Sequence, residues 1–199
     1  MDAQSASARR PAAIGAIFAP QARLGRGGML AVTVLGVFAG LALSRTGVRF
    51  DGLLDVHRTW RGQAVPLTTA VLDQMAAVPV AALAAALVLR LAGHRARPAD
   101  VLLAVGVARA PLVLVAPTVL AMPVPSELLT AGSPALLAPS PAVVLGGLVA
   151  VTGVAWAVVL LASGLRGATG ARGWRLAGLT ATTVVAAEMA GKGFLAAAG

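Results

Sequence analysis

Residues Ala104 to Pro117 read AVGVARAPLVLVAP, a stretch apolar enough for lipid that still holds Arg109 near its middle, with Pro111 two residues later. A guanidinium at the centre of a spanning helix costs about 2.5 to 3.5 kcal/mol on insertion scales, so it finds a partner or a water-filled cavity, or it snorkels to the head groups. The reading of this stretch depends on what surrounds it. The chain has 199 residues, of which 58% are hydrophobic and 12% charged, with a mean hydropathy of +0.88. Soluble domains carry about 25% charged residues. The sequence is therefore that of an integral membrane protein.

Zero cysteines exclude a disulfide framework, a thiol nucleophile and thiolate metal ligands. The formal charge of +9 would suggest nucleic acid in a soluble chain, whereas in a membrane protein it serves topology and contact with the bilayer's anionic lipid head groups. Fifteen of the 16 basic residues are Arg, and Ala, Gly and Pro abound, the coding bias of a GC-rich, bacterial-type genome.

Outward from Arg109, five apolar runs are long enough to cross a hydrocarbon layer of ~30 Å at ~1.5 Å per residue. They cover about residues 28–44, 67–89, 101–122, 142–165 and 176–198. The expected fold is all-α, an integral membrane bundle of five transmembrane helices over residues 28–199, preceded by a basic tail over 1–27 with no cleaved signal pattern. Between the third and fourth runs, Pro123, Pro125, Pro134, Pro139 and Pro141 prescribe a loop, with at most a short turn at SELL.

Basic residues set the orientation. One side receives Arg9, Arg10, Arg23 and Arg26 of the tail, Arg90, Arg95 and Arg97 of the second loop, and Arg166, Arg172 and Arg175 of the fourth. The other receives Arg45, Arg49, Arg58, Arg61 and Lys192. The expectation is a multi-pass cell-membrane protein with a cytoplasmic amino terminus and an external carboxyl terminus. In the first loop, Phe50, Leu53, Leu54, His57 and Trp60 recur at helical spacing, which predicts an amphipathic helix lying in the interface, its charge partly offset by Asp51 and Asp55.

Depth arguments then pair the intramembrane charges. Arg109 lies ~13 Å and Glu188 ~20 Å from the cytoplasmic side, a gap that a long Arg side chain covers. Asp73 and Lys192 both fall ~25 Å from that side and form a second pair. Glu188 and Lys192 are spaced i, i+4, so one helix face carries both. The plainer alternative has Arg109 and Lys192 snorkelling to opposite surfaces, leaving Glu188 alone at depth.

Small residues supply a packing signal. Gly36 and Gly40 lie four apart in the first run, and Gly146 and Ala150 in the fourth, which allows close helix approach. Pro111 and Pro117 kink the third helix and free backbone carbonyls near Arg109. Catalytic signatures are missing: there is no GxSxG, HExxH or phosphate-cradling loop, and His57 and His94 fall on opposite faces. Asp51, Asp55 and His57 are conceivable metal ligands, but on a helix Asp51 and His57 are poorly aligned, so no metal and no cofactor is expected.

LLAVGVARAPLVLVAP at 102–117 and AVVLLASGLRGATGARGWRLAGL at 157–179, together with GRGGMLAVTVLGVFAG at 25–40, resemble the Yip1-like (Yip1 domain) membrane family. The first resembles the start of that family's third helix, and the second its fourth helix, glycine-containing cytoplasmic turn and fifth helix. The resemblance implies a five-helix, non-enzymatic membrane protein. Eukaryotic members are associated with vesicle trafficking and bind Rab-type GTPases, and no residues here match such a surface. The long basic first loop and the proline-rich third loop depart from the family. Three expectations result. The first is a membrane scaffold or organising protein working through helix packing, lipid contact and protein partners or a homo-oligomer. The second is a small transporter or transporter subunit whose charged path holds Arg109, Glu188, Asp73 and Lys192. The third, weaker, is an enzyme acting on lipid at the outer face through His57 and Asp55.

Overall fold

A computed structural model describes residues 21–122 and 141–198. The basic tail up to residue 20, including Arg9 and Arg10, lies outside them, as do SELL, Pro123, Pro125, Pro134 and Pro139. The described chain is mostly helical, in the order α1 (Gln21–Ser44), β1 (Val48–Arg49), β2 (His57–Arg58), α2 (Leu67–Met75), a π-helical turn (Ala76–Val80), α3 (Ala81–Leu91), α4 (Pro98–Ala108), α5 (Ala110–Leu120), α6 (Pro141–Thr169) and α7 (Gly173–Ala198).

Four stretches are long and apolar enough to cross a membrane: Arg23–Ser44, Leu67–Leu91, Pro98–Leu120 and Val143–Thr169. The 26 residues of α7 are also long enough, but Thr, Gly, Glu188 and Lys192 dilute its apolar content. Helix α1 begins within the segment read as tail and bends at Gly25, whose φ of 58° lies in the left-handed region.

The helices of the second and third runs are each interrupted for a local reason. Pro79 has no N–H to donate and its ring crowds the preceding turn, and the wider π turn over Ala76–Val80 takes it in. The break between α4 and α5 falls at Arg109, two residues before Pro111, where Leu112 donates to the Arg109 carbonyl at 3.0 Å. Pro117 lies inside α5, which continues to Leu120.

Helix α4 is the axis of the bundle, buried nearly throughout from Val101 to Ala108. It packs on α1, α3 and α6, and α7 closes the other side against α3 and the π turn. The main core joins Ala81, Ala85 and Leu89 with Val101, Val105 and Ala108, and with Leu160, Leu161 and Leu165 of α6 and Ala187 of α7.

The first loop corrects the sequence reading. No interfacial helix forms there. Val48 pairs with Arg58 and Arg49 with His57 in a two-stranded antiparallel ladder. Val48 and Phe50 are buried while the intervening Arg49 is only partly so, the period-two alternation of a strand. Gly47 and Gly62, with φ of 84° and 66°, sit at positions that a continuous helix does not accommodate. The tip of this hairpin dips into the bundle: Leu53, with no exposed surface, belongs to the main core. Phe50 packs with Val48 and Ala116 in a second cluster. Trp60 stays exposed.

The packing glycines also sort differently from expectation. A side chain on Gly36 would meet nothing, whereas one on Gly40 would collide with the Gln74 carboxamide and one on Gly146 with Met122. Ala150 is half-buried. Two tighter crossings involve glycines that the spacing argument did not single out: Gly106 of α4, four before Ala110, against Thr33 of α1, and Gly153 of α6, four before Ala157, against Val115 of α5. Gly106→Val is expected to cost about 1–3 kcal/mol by overpacking the α1–α4 crossing. Gly36→Val should stay within about 0.5 kcal/mol, as surface changes do. Reversible unfolding of the two purified variants measures both.

Candidate functional site

Around the hairpin tip, Arg49, Asp51, Asp55, His57, Asp73, Gln74, Arg109, Glu188 and Lys192 come together from the first loop and from α2, α7 and the α4–α5 junction. The backbone over 50–56 is neither helix nor strand, and Phe50, Asp51, Gly52 and Leu53 are buried. Its N–H and C=O groups therefore need partners other than water. Glu188 supplies one, accepting the Leu54 N–H at 2.6 Å. Arg109 supplies another, with Nη2 3.5 Å from the Phe50 carbonyl and the guanidinium 5.8 Å from the Phe50 ring centroid. Gly52 makes the approach of Glu188 feasible, because any side chain there would occupy the carboxylate's position.

Arg109 is otherwise held by Gln74, whose Oε1 accepts from Nη1 at 2.9 Å. Among the described residues, Arg109 Nε and Gln74 Nε2 are buried without a hydrogen-bond partner. Arg109 and Glu188, paired directly in the sequence reading, instead grip neighbouring points of the same loop, with Glu188 and then Asp73 supplying the negative field at the guanidinium.

The second expected pair is replaced outright. Asp73, with no exposed surface, takes two bonds from Arg49, at 2.6 Å from Nη2 and 3.0 Å from Nε. Lys192 goes to Asp55 at 2.7 Å and Asp51 at 3.0 Å. Depth along the helices placed Asp73 and Lys192 at one level, but the folded loop inserts its own ions between them, and these lie nearer to each partner. Glu188 and Lys192 do share a face of α7, and that face looks onto the loop.

Asp51, Asp55 and His57 offer ligand atoms all within 4.8 Å of one another, an arrangement that a helix would have prevented. The cation the fold presents to the two carboxylates is the Lys192 ammonium. His57 Nδ1 lies 3.0 Å from Asp55. This bond, chiefly, and then Lys192 against the opposing effect of burial, hold the Asp55 carboxyl well below the usual carboxylate range. The same bond, reinforced by Asp51, raises the His57 imidazole above its ordinary value. Hydrogen bonding to Asp73 likewise raises Arg49. With His57 protonated, four cations (Arg49, His57, Arg109, Lys192) face four carboxylates (Asp51, Asp55, Asp73, Glu188), so the cluster is neutral.

No family profile, curated protein or solved structure matches this chain. The cluster is thus read from its own geometry. Sequence reasoning missed Gln74, Arg49 and Gly52 as members. Gln74 carried a signal, since a Gln beside Asp73 within an apolar run needs a partner, while Arg49 and Gly52 became legible only once the loop was known not to be helical.

A pH dependence follows from His57. A raised folded-state value means that its contribution to stability is complete below the unfolded value of about 6.5 and is lost as pH rises through the folded value. Thermal unfolding of the purified protein should show a midpoint that falls as pH rises above about 6.5, and His57→Gln should flatten that fall.

Proposed function

We propose that this chain is a five-span membrane protein of Yip1-like, bacterial type that acts as a non-enzymatic scaffold or organising protein in the cell membrane. Its amino terminus is cytoplasmic and its carboxyl terminus external. In this reading α7 is the fifth span. It starts beside the arginine-rich turn at Arg172 and Arg175 and reaches the loop tip through Glu188 and Lys192, so it traverses much of the same bundle.

The observation that carries the proposal is the closure of the charged cluster upon itself. Arg49, Asp51, Asp55, Asp73, Arg109, Glu188 and Lys192 each engage a group of the same chain. Four cavities of 280 to 1150 Å³ between described residues are lined by other side chains. An ion network whose charges pair within the chain fixes a loop in a bundle, whereas a transport path presents its charges to a passage. Partner proteins or further copies of the chain would be gathered through the basic loops and the exposed helix faces.

A second reading, a small transporter with a path along Arg109, Glu188, Asp73 and Lys192, is favoured by the unpartnered Arg109 Nε, Gln74 Nε2 and Thr183 Oγ1, which water could reach in another conformation.

A double-mutant cycle separates the two. Arg49→Ala should cost about 3–5 kcal/mol by leaving the buried Asp73 carboxylate alone, Asp73→Ala should cost less because Arg49 is partly exposed, and the double variant should recover a large part of the Arg49→Ala loss. Loss of solute flux in reconstituted vesicles without loss of stability would favour the transporter. Topology is tested by thiol labelling, since the chain has no native cysteine. Gln4→Cys should be shielded from an impermeant maleimide in intact cells, and Gly199→Cys should be labelled. The reverse pattern would overturn the orientation.

A further inference from the structure

The end of the bundle away from the hairpin has a different electrostatic character. Among the described residues its only carboxylate is Asp100, which Arg26 already binds at 3.0 Å. Arg90, Arg95, Arg172 and Arg175 have no acidic partner among the described residues. Between the end of α3 and the start of α7 runs a cavity of about 1150 Å³. Val88, Leu91 and Leu179 form its apolar wall, and His94, Arg172 and Arg175 its polar rim. A smaller cavity bordered by Arg90, His94 and Arg95 adjoins it through His94.

We infer that this groove is a binding site for an anionic phospholipid, with the phosphate held by Arg172 and Arg175 and the acyl chains lying along Leu91 and Leu179. The assignment rests on the reading of the bundle as membrane-spanning. Three features select a lipid over a soluble anion. The rim is cationic with no carboxylate, which complements a phosphodiester. The wall contributed by Val88, Leu91 and Leu179 is apolar, so a ligand must be amphipathic to satisfy both. Leu91 and Trp174, 80% and 81% exposed, flank the opening at the level where spanning helices end, the depth at which Trp concentrates in membrane proteins. Arg175 lies over the Trp174 ring at 5.7 Å, which holds its guanidinium at the mouth.

The groove exists because α3 stops sharply. Gly93, with φ of 82°, lets the chain turn away, with His94 N–H returning to Leu89 C=O at 2.8 Å and Gly93 N–H to Arg90 C=O at 3.0 Å, the closure that ends helices at a left-handed glycine. On the facing helix Gly178 has nothing within 4 Å of where a side chain would start, which leaves the floor open.

The test titrates the full chain, purified in neutral detergent, with dioleoyl-phosphatidylglycerol or dioleoyl-phosphatidylcholine and counts bound lipid by native mass spectrometry. Phosphatidylglycerol should bind in clear preference. Arg172→Ala with Arg175→Ala should weaken it roughly thirtyfold, at about fivefold per basic residue near a lipid surface. Arg97→Ala with Arg166→Ala removes the same charge from the same end outside the groove and should leave binding unchanged. Gly178→Leu, which fills the floor and keeps every arginine, should also weaken it. Equal losses in the two arginine pairs, or wild-type binding by Gly178→Leu, would overturn the site. Failure of the membrane reading is distinguishable, because it would abolish the preference together with the two-sided thiol labelling.

Discussion

A backbone that leaves helical geometry inside a packed bundle loses the internal partners of its N–H and C=O groups and gains no water to replace them. The tip of the first loop, from Phe50 to Leu54, is under that constraint. Several polar side chains around it are arranged to meet it. Glu188 takes an amide, Arg109 faces a carbonyl, Lys192 neutralises the two aspartates flanking the tip, and Gln74 steadies Arg109 from below. Each of these side chains comes from an element distant in sequence, so the loop is also what ties α2, α7 and the α4–α5 junction to one another.

The constraint also accounts for the interruptions in the helices. A straight third helix would continue its ladder through Arg109, and the break two residues before Pro111 lies where the guanidinium meets the loop. The π turn over Ala76–Val80 immediately follows Asp73 and Gln74. Such turns are frequent at functional sites. Here it adjoins the two α2 side chains that hold Arg49 and Arg109. Gly40 and Gly52 have matching roles, since a larger residue at either would displace Gln74 or Glu188.

The two ends of the bundle therefore use arginine in opposite ways. In the cluster around the hairpin tip, four cations and four carboxylates balance and pair with one another, while Arg45 and Arg61 of the same end are exposed. At the other end, among the described residues, exposed guanidinium groups outnumber the single carboxylate, Asp100.

Much of the helical architecture was legible in the sequence, because apolar run length, proline placement and glycine stops are local properties that act whatever the rest of the chain does. The runs around 67–89 and 101–122 and the break next to Pro111 are of this kind. The presence of deep charges was equally legible, since an Arg or Glu amid apolar residues is visible without any structure. Their partners were not. The spacing of Phe50, Leu53, Leu54, His57 and Trp60 fits a helix as well as it fits any other form, and only the space between α2, α5 and α7 makes burial of Phe50 and Leu53 more favourable than laying them on an interface. Once the loop enters that space, its own Arg49, Asp51 and Asp55 lie closer to Asp73 and Lys192 than those two lie to each other. Sequence determined which residues had to be compensated, and tertiary structure decided by what, because Coulomb and hydrogen-bond energies follow distances that only the folded loop creates.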